Sequence, residues 1–330
     1  MAVLFSDDTP GKGFAPLKLD LQRLLADRAD FDFAQFDPPR VIEGEIISVR
    51  SAFQGELTLS LPGASFDSAF SGADTAAQAG FAGTGLMLDE TGHLTAGSIS
   101  VMTGKTLSRI GFQLYDMALD PLALEQAAAT QTHADDRALL LALLQADDLV
   151  IGGAGNGSYD LAGGDDLAIT GKGDDLVLGR MGNDYLLLGG GNDTARGGRG
   201  SDLLDGGAGN DLLEGGGGAD VLVGNGGTDR LTGGLGEDVF VITATGGRDR
   251  ITDFSLGSDH LALESTLTGL EITLRATGKG VAVDIGNTTT ILLGVTRASV
   301  LAAGIDSLFT DLSAAAAVES GFFESWDYTL

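Results

Sequence analysis

The chain of 330 residues contains no cysteine. A disulfide framework, a zinc–thiolate site and a cysteine nucleophile are therefore excluded. Histidine is almost as scarce. His93, His133 and His260 are scattered and none precedes a glutamate, so the H-E-x-x-H string of a zinc protease is missing. The G-x-S-x-G elbow of a lipase does not occur either. Gly104-Lys-Thr looks like the end of a phosphate loop, but position 99 is Ile where the first glycine belongs. No run of 18 apolar residues exists, so no transmembrane segment is expected. Met1-Ala-Val-Leu-Phe-Ser-Asp-Asp lacks a basic stretch followed by an apolar one, so no Sec-type signal peptide is expected. Basic residues are few, 19 against 47 acidic ones, for a net charge of -28. Nucleic acid is thereby excluded as a partner, because phosphate binding needs a basic face. An anionic membrane surface would repel the chain. The natural partner for so many carboxylates is a cation.

What the chain has in abundance is glycine, and the glycines are in register. Residues 152–241 hold 29 of the 52 glycines. Cut every nine residues, the window reads GGAGNGSYD, LAGGDDLAI, TGKGDDLVL, GRMGNDYLL, LGGGNDTAR, GGRGSDLLD, GGAGNDLLE, GGGGADVLV, GNGGTDRLT and GGLGEDVFV. The fourth position is Gly throughout, including Gly182, Gly200, Gly209, Gly218 and Gly236. The sixth is Asp in nine consecutive units: Asp166, Asp175, Asp184, Asp193, Asp202, Asp211, Asp220, Asp229 and Asp238. The eighth is apolar in every unit, from Tyr159 to Phe240. Fixed glycine points to positive φ or close backbone approach. Here the glycines form a tight loop whose carbonyls are expected to turn inward, with the Asp adding a hard anionic oxygen. Such oxygens suit Ca²⁺, which accepts six to eight of them in irregular geometry, better than octahedral, water-retaining Mg²⁺. Soft metals do not fit. The last three positions, such as Leu203-Leu204-Asp205, read as a short strand with its apolar residue pointing inward. A flexible glycine linker has no reason to place an apolar residue at every ninth position.

This pattern resembles the RTX (repeat-in-toxin) family of hemolysin-type calcium-binding proteins, whose known motif is GGxGxDxUx with U apolar. The resemblance implies an all-β-dominated fold with a parallel β-roll, in which two nonapeptides make one 18-residue coil and several Ca²⁺ ions lie between loops stacked one coil apart. One edge then holds Asp166, Asp184, Asp202, Asp220 and Asp238, and the other Asp175, Asp193, Asp211 and Asp229. The chain departs from the motif at its start. Gly157 stands in place of the first Asp, the units from Leu161, Thr170 and Leu188 lack the first glycine, and a half-repeat, Ala146–Ile151, precedes the window. The N-terminal sites are expected to be weaker or empty and the best-formed loops to run from Gly179 to Asp238.

The flanks set the expected boundaries. Residues 1–40 form a polar N-terminal segment ending near Asp37-Pro-Pro. Residues 41–118 form a small β-domain with strand-like runs at Val41–Val49, Glu56–Leu61 and Ile110–Tyr115. Residues 119–147 read as a helical connection capping the roll at 148–241. Residues 242–310 form a C-terminal β cap that resembles the closing segment of serralysin-type proteins, with Asp249, Asp253 and Asp259 at its acidic positions. Within it, Glu271–Arg275, Val281–Ile285 and Thr290–Leu293 alternate as strands do. Residues 311–330 contain no Lys or Arg and mix acids with Ala, Phe, Trp and Leu. Beside the repeats, the resemblance implies that they are an uncleaved signal read by a type I secretion apparatus.

Together these readings give the expectation of a secreted, extracellular, non-enzymatic bacterial protein with a structural or adhesive role at the cell surface or in a matrix. Its roll folds on meeting Ca²⁺ outside the cell, with affinity in the range of extracellular modules, about 10⁻⁴ to 10⁻³ M. Self-assembly or a cell-surface partner completes the expectation. The alternative is a small secreted hydrolase with a catalytic N-terminal domain carried by the repeat tail, since carboxylate-pair chemistry needs no motif of its own.

Overall fold

A computed structural model describes residues 141–310 continuously, together with the strands Val3–Ser6, Ile46–Ser51, Gly55–Ser60, Asp67–Phe70, Ala77–Leu88, Leu94–Thr106 and Arg109–Tyr115 and a few positions between 120 and 139. The expected secretion signal at 311–330 and most of the polar segment at 1–40 lie outside the described residues. No helix among the described residues is long and apolar enough to cross a membrane.

The nine-residue repeat becomes a parallel β-solenoid. Each unit supplies one short strand and one tight loop, and alternate units fall on opposite faces. One face carries Leu149–Ile151, Leu167–Ile169, Tyr185–Leu187, Leu203–Asp205, Val221–Val223, Val239–Ile242 and His260–Leu263, each paired in parallel with the next. The other carries Ser158–Asp160, Leu176–Met181, Thr194–Arg199, Leu212–Gly217, Arg230–Leu235 and Arg248–Ile251. The register confirms the 18-residue coil: Leu203 lies beside Tyr185 and Val221, with Leu204 beside Leu186 and Leu222. Backbone bonds run from coil to coil as well, as where the Leu203 N–H donates to the Asp184 carbonyl at 2.8 Å.

Strand alternation sends every second side chain inward. The eighth positions of the two faces therefore meet in one central column, which includes Tyr159, Val177, Leu186, Leu204, Leu213, Leu222, Leu231 and Phe240, all buried in one core. Each such side chain contributes about 1.5–3 kcal/mol of apolar transfer, so the column favours coil stacking whatever the loops bind.

Both ends of the column are covered. At the C-terminal end the spacing between paired strands lengthens from 18 residues to 20 (Arg230 beside Arg250) and 21 (Val239 beside His260). A meander of Ile272–Ala276, Gly280–Ile285 and Thr288–Leu293 then closes the second face. Val281, Val283, Ile285 and Leu292 extend the core there, and Phe254 packs on Phe240 with ring centroids 6.0 Å apart. The helix Arg297–Ala303 starts on a capping box between Thr296 and Ser299 and buries Val300 against the same core.

At the other end Leu139 and Leu143 pack against the core, while Leu141 packs on Leu144 and Ala162 beside it. The strand Val3–Ser6 pairs in parallel with Leu149–Ile151 and antiparallel with Arg109–Tyr115. Through it the strands between 67 and 115 continue the sheet of the roll, whereas Ile46–Ser51 and Gly55–Ser60 form a hairpin apart from it. Strand content before residue 118 is thus larger than the three runs legible in the sequence. The two longest strands, Ala77–Leu88 and Leu94–Thr106, are rich in Gly, Ala, Ser and Thr and carry a weak apolar alternation.

Candidate metal centre

The sixth-position aspartates follow the strand alternation and point into the roll at its two edges. Asp166, Asp175, Asp184, Asp193, Asp202, Asp211, Asp220, Asp229 and Asp238 are at most 3% exposed. In each ladder the carboxylate Oδ1 accepts the backbone N–H of the sixth position one coil earlier. Asp184 N–H donates to Asp202 Oδ1 at 2.8 Å, and Asp202 N–H to Asp220 Oδ1 at 2.9 Å. On the other edge Asp193 N–H donates to Asp211 Oδ1 at 2.8 Å and Asp211 N–H to Asp229 Oδ1 at 2.9 Å. The two edges that the family resemblance implied are therefore two continuous ladders.

The ladders are longer than the repeat. Asp148, in the half-repeat, donates its N–H to Asp166 Oδ1 at 2.7 Å. At the far end Asp229 N–H donates to Asp249 Oδ1 at 3.0 Å and Asp238 N–H to Asp259 Oδ1 at 3.3 Å. Asp253 takes the N–H groups of Gly233 and Gly234 on its two oxygens. Of these, Asp249, Asp253 and Asp259 read in the sequence only as acidic cap positions, because their 20- and 21-residue spacing hides them from a nine-residue count. The Asp147-Asp148 pair was the one visible signal for the N-terminal extension.

One oxygen per carboxylate is accounted for, and the other is what matters chemically. Oδ2 of Asp166, Asp184, Asp193, Asp202, Asp211, Asp220, Asp229 and Asp238 is buried without a hydrogen-bond partner. A buried, unpaired carboxylate oxygen costs several kcal/mol unless a proton or cation joins it. The titration of the ladder reflects this. Burial, more than any neighbour, pushes Asp202 and Asp220 up to about 8 and Asp184 and Asp211 up to about 7. Asp166 reaches about 10, by burial first and then by the carboxylates of Asp184 and Asp148. Asp229 and Asp249 are likewise raised, chiefly by burial.

Glycine at two loop positions makes this geometry possible. At the first position, a Cβ on Gly197 would lie 2.2 Å from Asp202 Oδ2, and one on Gly233 2.2 Å from Asp238 Oδ2. The free oxygen thus rests where a side chain would otherwise stand. At the fourth position, Gly218 has φ of 144°, and a Cβ there would lie 1.8 Å from the Gly200 carbonyl. The same holds for Gly182, Gly200, Gly209 and Gly236 against the fourth-position carbonyl of the coil before. These carbonyl oxygens face the fourth-position glycine of the next coil along the axis. Outside the ladder, fifth-position side chains form an exposed second ladder, in which the Ser201 N–H donates to Asn183 Oδ1 and the Asn210 N–H to Asn192 Oδ1.

The donor set is hard oxygen only, carboxylate and carbonyl, which fits Ca²⁺. Among the described residues no three acidic or histidine side chains converge on one point. An ion held here must therefore take most of its oxygens from the backbone loops, with the Asp Oδ2 as the anionic member.

Fold and donor set together define a calcium-binding parallel β-roll. A sequence profile of the RTX calcium-binding nonapeptide repeat (4 copies) matches residues 162–195, 188–222 and 205–240. Residues 162–240 thus carry RTX calcium-binding nonapeptide repeats, and such repeats bind Ca²⁺. No curated protein sequence matches the chain. Among solved structures, the extracellular lipase LipA from Serratia marcescens is similar at 21% sequence identity over 46% of this chain, with a TM-score of 0.26. The matched part spans 37% of that lipase.

Proposed function

We propose that this chain is a secreted, non-enzymatic calcium-binding protein whose roll folds on meeting Ca²⁺ outside the cell and then serves a structural or adhesive role at the cell surface or in a matrix. Its ligand oxygens are Oδ2 of Asp184, Asp202, Asp211, Asp220, Asp229 and Asp238, set against the loops of the fourth-position glycines Gly182, Gly200, Gly209, Gly218 and Gly236. The observation that carries this reading is the row of buried Oδ2 atoms with no partner in the chain. Without a cation these carboxylates repel one another along each edge, and ordering a glycine-rich chain costs about 1–2 kcal/mol of backbone entropy per residue. Ca²⁺ supplies the missing positive charge, so that its binding free energy becomes folding free energy. The calcium-binding coils therefore stay unfolded where calcium is scarce, in a state suited to threading a type I secretion apparatus, and the roll closes outside.

The test is circular dichroism of the full chain. EGTA should remove β-signal of the roll, and Ca²⁺ should restore it where equimolar Mg²⁺ does not. A spectrum indifferent to chelation would refute the coupling. The adhesive role is tested by calcium-dependent retention of the secreted chain on the surface of the cells that export it; a chain recovered wholly in the medium with calcium present would refute that part.

A further inference from the structure

We infer that calcium enters only part of this roll: the coils whose inward first position carries Leu161, Thr170 or Leu188 are closed to it by the protein's own side chains. The inference rests on the reading of Asp Oδ2 as the calcium ligand and says where along the ladders that reading applies.

The first position faces the sixth-position carboxylate of its own unit. At Gly179 a Cβ would lie 2.1 Å from Asp184 Oδ2 and 2.7 Å from the Gly197 carbonyl oxygen, one coil on. At Gly215 the corresponding distances are 2.4 Å to Asp220 Oδ2 and 2.7 Å to the Gly233 carbonyl. A carboxylate oxygen and a carbonyl of the neighbouring coil thus converge on a space that only glycine leaves open. Gly197, Gly206, Gly224 and Gly233 leave the same space beside Asp202, Asp211, Asp229 and Asp238.

Three units fill it. Leu161 and Leu188 are 1% and 0% exposed and belong to the continuous core of the roll. A leucine side chain therefore stands at the position that glycine leaves open in the other units, while Asp166 and Asp193 keep their Oδ2 buried and unpartnered. Thr170 is also fully buried, and its Oγ1 donates to the Leu188 carbonyl at 2.9 Å. That carbonyl is the first-position carbonyl one coil on, the counterpart of Gly197 O and Gly233 O. A hydroxyl of the chain thus takes the oxygen that the open units hold toward the site. Because Leu161 lies on one edge and Thr170 and Leu188 on the other, the first ladder opens at Asp184 and the second only at Asp211. The coils before them are held by apolar packing, with Tyr159, Leu161 and Leu188 in the core and Leu139 and Leu143 against it. The roll is a calcium-independent base carrying a calcium-dependent extension.

The experiment counts calcium bound to the full chain at saturation by equilibrium dialysis. Leu188→Gly opens the closed space on its edge and should bind one ion more than the wild type. Gly206→Leu, whose side chain would enter the space beside Asp211, should bind one fewer. Both are checked for folding by circular dichroism. Because Leu188→Gly also removes core packing, amide exchange of the wild type in EGTA is measured in parallel. Amides of 149–169 should stay protected while those of 221–241 exchange. A folded Leu188→Gly chain with no added ion, or exchange in EGTA that is uniform along the roll, overturns the inference alone. A wild-type chain that binds no calcium overturns the proposed function with it.

Discussion

Two adjacent glycines in one loop give the sharpest test of the coil geometry. Gly217 and Gly218 occupy the third and fourth positions of the same unit. A Cβ on Gly217 meets nothing within 4 Å, whereas one on Gly218, at φ of 144°, would lie 1.8 Å from the Gly200 carbonyl. Ala at Gly218 therefore incurs backbone strain of about 1–3 kcal/mol. It must also push two coils apart, which weakens the 2.9 Å bond from Gly200 N–H to the Gly217 carbonyl, worth about 1 kcal/mol. The expected loss for Gly218→Ala is about 3 kcal/mol. Gly217→Ala should be neutral or gain about 0.4–1 kcal/mol by restricting the unfolded chain. Urea unfolding in saturating Ca²⁺ reads both numbers from midpoints at constant slope. Equal midpoints for the two variants would refute the claim that the fourth position is glycine because of the stacked carbonyl, and with it the assigned coil register.

Four further outcomes follow from the same ladders. Ladder aspartates are held well above their ordinary 3.8, at about 6 for Asp238, about 7 for Asp184 and about 8 for Asp202 and Asp220. The folded state therefore binds more protons than the unfolded one. In EGTA the roll should gain β-signal on acidification from about pH 8 toward pH 4 and lose it as the pH rises through those values; loss of signal on acidification would contradict the sign. In calcium, the same protons compete with the ion, so the Ca²⁺ midpoint should rise as the pH falls. Asp202→Ala should raise the Ca²⁺ midpoint of folding more than Asp147→Ala, because Asp202 Oδ2 is buried and unpaired whereas Asp147 lies on the outer ladder and accepts the Asp165 N–H; equal shifts would refute the site ranking. Asp253→Ala strips two acceptors from Gly233 and Gly234 and should lower stability in urea by about 1–3 kcal/mol. An unchanged midpoint would show that the last coil needs no such cap.

Much of this was legible in the residues because a solenoid repeats its contacts. The inward apolar residue at the eighth position and the strand at Leu203–Asp205 are local consequences of period two inside period nine, while the pairing of alternate units was implied by the family resemblance. The closing strands at Ile272–Ala276, Gly280–Ile285 and Thr288–Leu293 were likewise visible as alternation. The sequence by itself therefore determined the kind of fold, the ion and the aspartates that line its edges.

Tertiary structure decided how the ladders end and where they are open. Asp249 and Asp259 join the ladders only once the coils are stacked, since their loops break the nine-residue count, and Asp148 joins from a half-repeat without the loop glycines. Val3–Ser6 pairs with Leu149–Ile151 across nearly half the chain, and no short pattern could announce such a contact. Leu161, Thr170 and Leu188 looked in the sequence like lapses of the motif. Stacking places each of them where a carboxylate and a carbonyl would otherwise meet, because the first, sixth and eighth positions of a unit all face the same narrow interior.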